Sequence, residues 1–178
     1  NIAKDNNFNI NMKNDLLDSI WKERPQLPNN KIFLHDEKYA GKSASEKLAQ
    51  VRKNMKTKNA DYFILSSLDD IAWLCNIRGN DIKFNPVALS YVLVGMDYSN
   101  IYVDENKVDS ETKTKLNSEG FEIKGYNEIE DDVKLLKGTV ILDPNKLNAK
   151  IFTSLSNEVK VIRELNVTTN LKAIKNEV

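Results

Sequence analysis

The chain has 178 residues, of which 40% are apolar and 29% are charged, which predicts one soluble globular domain. Lys and Arg number 26, as do Asp and Glu, so the zero net charge supplies no field to attract nucleic acid or acidic lipid. No segment approaches the roughly 20 apolar residues of a membrane span. Given this and the zero net charge, we expect neither a nucleic acid nor a membrane partner. The single cysteine excludes an internal disulfide.

The amino-terminal segment, residues 1–42, is predicted to be a linker with a short helix and an extended stretch. Apolar residues over 16–20 follow helical spacing, and two prolines interrupt any continuation. The sole histidine, His35, has no cysteine nearby, so we interpret it as a surface side chain and predict no zinc site. The chain starts at Asn1 without a methionine and ends within a helical pattern, which suggests a piece of a longer protein.

Helix and strand patterns alternate after this linker. Ser43 and Glu46 have the spacing of a capping box, and apolar residues at helical spacing then predict a helix over 44–58. The apolar run 61–67 predicts a buried strand.

A second helix is predicted from Leu68, with Ser67 and Asp70 as its capping box. Its apolar face includes Cys75, which we interpret as a small buried hydrophobe, and Trp73, which we interpret as a core residue rather than a binding platform.

The second half of the chain continues the alternation and adds a hairpin. The segment 87–96 is nearly all apolar and β-prone, and a polar turn connects it to a strand at 100–104. Further elements are a weak helix at 110–117, a strand after Gly120, a helix capped by Asn127 and Glu130, a strand at 139–143, a helical face over 147–155, a strand at 159–165 and a final helix from Leu171. Five or six strands and about five helices predict an α/β three-layer sandwich with a mixed sheet.

Common catalytic motifs are missing from the sequence. It contains neither a phosphate-binding glycine loop nor a G-x-S-x-G nucleophile elbow. The acidic pairs Asp69 with Asp70 and Asp131 with Asp132 begin predicted helices, where carboxylates meet the helix dipole favourably. We therefore interpret both pairs as capping groups rather than metal ligands.

The segment 67–91, SLDDIAWLCNIRGNDIKFNPVALSY, resembles the pattern ALDEIAWLxNxRGxD followed by NPVxxSY, which marks the second domain of three-domain Xaa-Pro aminopeptidases. The resemblance extends to DSIWKERPQLP, to YAGKSASEKLAQVRKNM and to TTNLKAIKNEV, so it covers essentially the whole chain. Two departures are Cys75 in place of the family's Phe, and Ala88 with Leu89 where aromatic residues are usual.

The resemblance implies a creatinase-type fold for this chain and a pita-bread catalytic domain beyond Val178, where two metal ions, usually manganese, are bound. The chain alone would then bind no cofactor and cleave no peptide. Its expected partners are that catalytic domain, a proline-containing peptide substrate and a second copy in a homodimer, and its expected location is cytoplasmic. The expected domains are the linker at 1–42, the creatinase-type domain at 43–166 and the start of the joining helix at 167–178.

The resemblance also nominates Arg78, Asp81, Asn85 and Lys172 as candidates for a substrate cleft. Gly79 is expected to take a positive φ and end the preceding helix. Arg78 is then either a structural fork, bonded to the last helix carbonyls or to Asp81, or a donor that faces the catalytic domain. Asn85, held extended by the following proline, is either a turn amide or part of the same edge, while Lys172 lies at the join.

Two functions from different classes remain open on the sequence. The first is a noncatalytic domain of an Xaa-Pro aminopeptidase, an enzyme that removes the first residue from peptides with proline in second position; this domain would shape the substrate cleft and support dimerisation. The alternative is a freestanding creatinase-fold binding or scaffolding module. A self-sufficient hydrolase would need a nucleophile or metal set that the sequence does not present.

Overall fold

A computed structural model of the chain describes residues 5, 6, 8 and 16–173. The α-helices in this part are α1 (Leu16–Ile20), α2 (Glu37–Ala40), α3 (Ala44–Thr57), α4 (Leu68–Leu74), α5 (Ser110–Ser118), α6 (Ile129–Lys134), α7 (Ala149–Ser154) and α8 (Val167–Ala173). The strands are β1 (Phe33–Leu34), β2 (Tyr62–Leu65), β3 (Ile77–Arg78), β4 (Tyr91–Gly95), β5 (Ser99–Val103), β6 (Glu122–Gly125), β7 (Gly138–Leu142) and β8 (Val159–Arg163). Short 3-10 turns cover Glu105–Lys107 and Tyr126–Glu128.

The main sheet has six strands in the order β6-β5-β4-β2-β7-β8. Strand β4 is antiparallel to both β2 and β5, whereas the β2–β7, β5–β6 and β7–β8 pairs are parallel. The predicted mixed sheet and its hairpin are therefore confirmed. The hairpin strand β4 is shorter than the predicted strand at 87–96. It begins at Tyr91, and residues 87–90 have no strand geometry.

Alternation along the strands creates two cores. In β2, Phe63 and Leu65 face one core and Ile64 faces the other, because successive side chains of a strand point to opposite sides. The first core includes residues of α3, α4 and α5, and the second includes residues of α6 and α7. Helices thus cover both faces of the sheet, which confirms the three-layer α/β sandwich.

Helix α3 shows how local sequence and packing agree. The Ser43 hydroxyl accepts a hydrogen bond from the Glu46 N–H, and the Glu46 carboxylate accepts one from the Ser43 N–H, as predicted for a capping box. Leu48, Val51 and Met55 lie on one helix face and are fully buried in the first core. This helix is therefore fixed at its start by its cap and along its length by an apolar stripe.

Two predicted helix starts are wrong in detail. Ser67 precedes α4, but its hydroxyl hydrogen-bonds to the Asp69 carboxylate at 2.7 Å instead of capping a backbone N–H. Helix α6 follows a 3-10 turn in which the Glu128 carboxylate accepts the Gly125 N–H, so Asn127 is not its cap. Side chains of polar residues near a helix start have several acceptors and donors within reach, and spacing alone does not choose among them.

A small second sheet contains an element that the sequence analysis did not predict. Strand β1 lies within the segment predicted to be a linker and pairs antiparallel with β3. In this pairing Phe33 lies opposite Arg78 and Leu34 lies opposite Ile77. The preceding Ile32 is buried in the first core. This pairing places the end of the linker against the segment that carries the nominated residues. Within the described residues, no helix has the length and apolar character needed to span a membrane.

Candidate functional site

The end of α4 is built around Asn76. Asn76 has φ 50°, in the left-handed region, directly after the last turn of the helix. Asn tolerates this conformation better than other residues with side chains, so it reverses the chain into β3. Gly79 has no positive φ, and the prediction that it ends the helix is wrong.

Gly79 is required for a close approach instead. A Cβ atom at this position would lie 2.8 Å from the Ala88 Cβ and 3.0 Å from the Val87 carbonyl oxygen. The Gly79 N–H donates to the Pro86 carbonyl at 3.2 Å, which keeps the two segments together. The absence of a side chain therefore lets the NIRGND stretch pack directly on the segment after the NP motif.

Arg78 acts as a fork to backbone carbonyls. Its Nη1 donates to the carbonyl oxygens of Ala72 at 2.9 Å and Ile77 at 2.8 Å, so it binds the end of α4 as one of the two sequence interpretations proposed. The side chain is half-buried, and burial lowers the pKa of its guanidinium. Arg78 also lines a surface cleft, so its hydrogen bonds to the backbone leave part of the side chain accessible.

Asp81 is not the partner of Arg78, which corrects that part of the prediction. Its carboxylate accepts hydrogen bonds at 2.6 Å from the Lys107 ammonium and from the Leu89 N–H. The side chains of Asp81 and Lys107 are 0% and 2% exposed, so this is a buried ion pair. Asp81 thus anchors the loop that follows β3 and does not reach the cleft that Arg78 lines.

Asn85 lies on the exposed tip of the same loop. Its N–H donates to the Ile82 carbonyl at 3.1 Å, and its own carbonyl accepts the Val87 N–H at 2.8 Å. The residue is exposed and lies outside the cleft that Arg78 lines, so its turn interpretation fits the structure better. The neighbouring Phe84 is 95% exposed with φ 64°, an unusual conformation for a bulky residue.

Lys172 joins helix α8 to the start of α4. Its ammonium contacts the Asp69 carboxylate and lies 2.5 Å from the Asp70 carboxylate. The Asp70 carboxylate also accepts the Asn166 amide at 3.0 Å, and Asp70 is buried. The acidic pair therefore holds the carboxy-terminal helix through side-chain contacts, rather than acting only on the helix dipole as predicted.

Arg78 and Lys172 line one cleft of about 930 Å³. We call it the basic cleft. Its lining residues are His35, Lys38, Tyr39, Ala40, Gly41, Lys42, Lys47, Gln50, Trp73, Asn76, Arg78, Thr169, Leu171, Lys172 and Ala173. The structure therefore brings together two of the four nominated residues, Arg78 and Lys172, and separates them from Asp81 and Asn85.

Lys47 is the cleft residue that the sequence analysis missed. It is only 1% exposed, and its ammonium donates to the Trp73 carbonyl at 2.9 Å and to the Asn76 side-chain oxygen at 2.5 Å. The ammonium also lies 4.7 Å from the centre of the Trp73 ring, in a cation–π arrangement. The signal was present, because Lys47 stands between Ala44 and Val51 on the apolar stripe of α3, where a charged residue is out of place.

The cations of the cleft affect each other. Burial, followed by the positive charge of Arg78, lowers the pKa of Lys47 to about 8. Burial and the charges of Arg78 and Lys47 likewise lower the pKa of His35. His35 is half-buried and lines the cleft, so its interpretation as a surface side chain is incomplete. Trp73 is also half-buried and packs against the first core, between the two roles weighed for it.

Metal ligands do not form a cluster in the part of the chain that the structure describes. No group of three or more His, Cys, Asp or Glu side chains there is arranged to hold a metal ion. Cys75 is buried, and burial raises the pKa of its thiol far above the usual range.

Comparison with known proteins gives one family and several larger relatives. The family described as Creatinase/Prolidase N-terminal domain matches residues 23–178. A probable Xaa-Pro aminopeptidase P of Sordaria macrospora is 41% identical over 175 residues, which cover 92% of this chain and 28% of that relative. The chain thus spans less than a third of that relative's length.

Solved structures agree with this assignment of the fold. An X-prolyl aminopeptidase from Caenorhabditis elegans, described as a cytosolic enzyme with a di-nuclear active site, is 27% identical with a TM-score of 0.87. The match covers 99% of this chain and 30% of that one. An Xaa-Pro dipeptidase from Bacillus anthracis is 16% identical with a TM-score of 0.52 over 76% of this chain and 37% of that one, a likeness of fold alone.

Proposed function

Because the chain belongs to the creatinase/prolidase N-terminal domain family, we propose that it is the noncatalytic second domain of an Xaa-Pro aminopeptidase. One observation carries the proposal: the alignment with an aminopeptidase relative covers 92% of this chain but only 28% of the relative. An enzyme of this kind removes the first residue from peptides with proline in second position. In this proposal, catalysis belongs to a domain that follows the chain described here.

The proposed domain boundaries are those drawn from the sequence, namely a linker at 1–42, a creatinase-type domain at 43–166 and a joining helix that starts at 167, and the end of the linker packs on the domain through Ile32 and β1. The contacts of α8 support its place at a domain join. Lys172 ties this helix to Asp69 and Asp70 on α4, so the last described helix is held next to the basic cleft. The basic cleft would then face the catalytic domain and form one wall of its substrate site.

Arg78 and Lys172 are the nominated residues that this proposal retains for the substrate cleft, since both line the basic cleft. Asp81 and Asn85 would support that wall indirectly, through the buried pair with Lys107 and the turn before Val87. The proposal extends to two manganese ions in the catalytic domain, to a homodimer and to a cytoplasmic location. The description of the Caenorhabditis elegans enzyme as cytosolic with a di-nuclear active site supports the metal pair and the location.

The alternative, a freestanding binding or scaffolding module, is less well supported. Relatives that match nearly the whole chain are peptidases several times its length, which favours a domain of a larger enzyme over an independent module. The two functions differ in whether the reading frame that encodes this chain continues past Val178 into a metallopeptidase domain.

The test compares the chain 1–178 with the longer protein, by which we mean the product of the reading frame that continues past Val178 into the proposed catalytic domain. Each is purified and given a peptide of the form Xaa-Pro-Xaa, with Xaa-Ala-Xaa as the matched control, and release of the first residue is measured. We expect release from the proline peptide by the longer protein only. Turnover by the chain alone, or a longer protein with equal activity on both peptides, contradicts the proposal.

A further inference from the structure

Lys47 carries a buried positive charge without a carboxylate partner in the described structure. Its two hydrogen-bond acceptors are the neutral Trp73 carbonyl and the neutral Asn76 amide oxygen. An ammonium has three donors, so one N–H remains without an acceptor among the described residues. Buried lysines are nearly always paired with an opposite charge, which makes this arrangement unusual.

Arg78 presents a second set of donors to the same cleft. Its Nη1 is occupied by the Ala72 and Ile77 carbonyls, whereas Nε and Nη2 donate to no acceptor among the described residues. The planar guanidinium edge that contains Nε and Nη2 matches the two oxygens of a carboxylate. Because the Nη1 bonds hold the guanidinium plane in place, this edge is oriented before any ligand arrives.

The cleft as a whole keeps a positive charge. Among its described lining residues there is no Asp or Glu, while Lys47, Arg78 and Lys42 all contribute cations. Lys172 differs, because Asp69 and Asp70 already pair with it.

We propose that the basic cleft is a carboxylate-binding site, in which the Nε and Nη2 edge of Arg78 and the free N–H of Lys47 hold the two oxygens. The half-buried Trp73 ring provides an apolar surface beside them for the group that carries the carboxylate. The source of the ligand rests on the proposed function. It is either the terminal carboxylate of a short peptide substrate or an acidic side chain of the catalytic domain.

The binding test uses the chain 1–178 and two probes that differ only in charge, N-acetylproline and N-acetylprolinamide. Dissociation constants are measured by NMR titration, with Lys47 and Arg78 side-chain resonances as local reporters. We expect the acid to bind at least tenfold more tightly than the amide and to shift both reporters. Equal binding of acid and amide overturns the proposal, as does inorganic phosphate binding at least tenfold more tightly than the acid.

Variants distinguish carboxylate binding by the planar guanidinium edge of Arg78 from attraction by positive charge alone. Arg78→Lys keeps the charge but loses the planar edge, so we expect it to weaken binding of the acid about tenfold. Lys47→Met should weaken it similarly, while Lys53→Met, on the exposed side of the same helix, should change nothing. Should Lys47→Met fail to fold, Arg78→Lys and the acid-to-amide ratio of the unaltered chain decide the question. Unchanged binding by Arg78→Lys overturns the proposal.

The source of the carboxylate is resolved in the longer protein. If the site takes the peptide terminus, kcat/KM should be at least tenfold higher for a tripeptide acid than for its amide, and Arg78→Lys should abolish that preference. If it takes an acidic side chain, no preference appears, and Arg78→Lys lowers the melting temperature of the longer protein more than that of the chain. A longer protein without peptidase activity refutes the proposed function, but carboxylate binding by the chain still tests this site.

Discussion

Asp81 and Lys107 form a buried ion pair that joins the loop after β3 to the turn after β5. The Asp81 carboxylate lies 2.6 Å from the Lys107 ammonium, and neither side chain is more than 2% exposed. The same carboxylate accepts the Leu89 N–H at 2.6 Å, so one buried group fixes three segments of chain. The base of the loop that carries Asn85 is thereby attached to the turn after β5.

Lys107→Met should therefore be strongly destabilising. The change leaves the Asp81 charge buried without its partner, which costs about 3–5 kcal/mol. The free energy of unfolding is measured by urea denaturation, with Lys113→Met on the exposed side of α5 as the control. A loss below about 1 kcal/mol would show that water reaches the pair.

Gly79→Ala should destabilise the junction between β3 and the segment after the NP motif. The new Cβ would lie 2.8 Å from the Ala88 Cβ and 3.0 Å from the Val87 carbonyl oxygen, and overpacking of this kind costs about 1–3 kcal/mol. Thermal and urea melts measure the effect.

The double variant Gly79→Ala with Ala88→Gly provides the matched comparison. It removes the shortest contact and should recover part of the loss relative to the sum of the single changes, since the two positions touch. Strict additivity of the two changes would mean that the clash is relieved elsewhere.

Lys47 should titrate near pH 8 in the folded chain, because burial and the Arg78 charge lower its pKa to about 8 from 10.5. His35, Cys75, Glu37 and Lys42 are the other charged or titratable groups that act on it or respond to it. Since the folded pKa is lowered, the stability contribution of this group rises as the pH increases from about 8 towards 10.5. Removing the Arg78 charge with Arg78→Gln should raise the pKa of Lys47.

Side-chain NMR of selectively labelled lysine measures this titration, and Lys53 on the exposed side of the same helix is the internal control. The physical account fails if Lys47 titrates together with Lys53, or if Arg78→Gln leaves its pKa unchanged.

Acid should loosen the carboxy-terminal helix. Burial opposes ionisation of Asp69, but hydrogen bonds from Lys172 and Ser67 outweigh it and lower its pKa to about 2. The stability from this contact is complete above the unfolded pKa of about 3.9 and is lost as the pH falls towards 2. Lys172→Met should remove much of this pH dependence.

Thermal melts at several pH values between 2 and 6 test this expectation, and Lys137→Met serves as the control because Lys137 lies before β7, away from the α8 contact. Equal acid sensitivity of the unaltered chain and Lys172→Met would assign the transition to other carboxylates.

Local features of the fold followed from the sequence because they depend on residues close together in the chain. The capping box of Ser43 and Glu46 and the burial of Cys75 were predicted correctly. So was the hairpin of β4 and β5, since its polar turn lies between two β-prone runs. The contact of Arg78 with the end of α4 was one of two sequence interpretations, and it spans only six residues.

The alternating helix and strand patterns were enough to predict the mixed α/β sandwich, because they depend on neighbours a few residues apart, and the resemblance to the Xaa-Pro aminopeptidase pattern identified the family and the segment that carries Arg78. The pairing of Asp81 with Lys107, 26 residues away, and the contact of Lys47 with Asn76, 29 residues away, could be read only from the folded chain. Such pairs are made when separate elements pack on one sheet, and many distant partners are compatible with the same local pattern. The cleft shared by Arg78, Lys47 and Lys172 is therefore a product of packing, since its members come from three different elements.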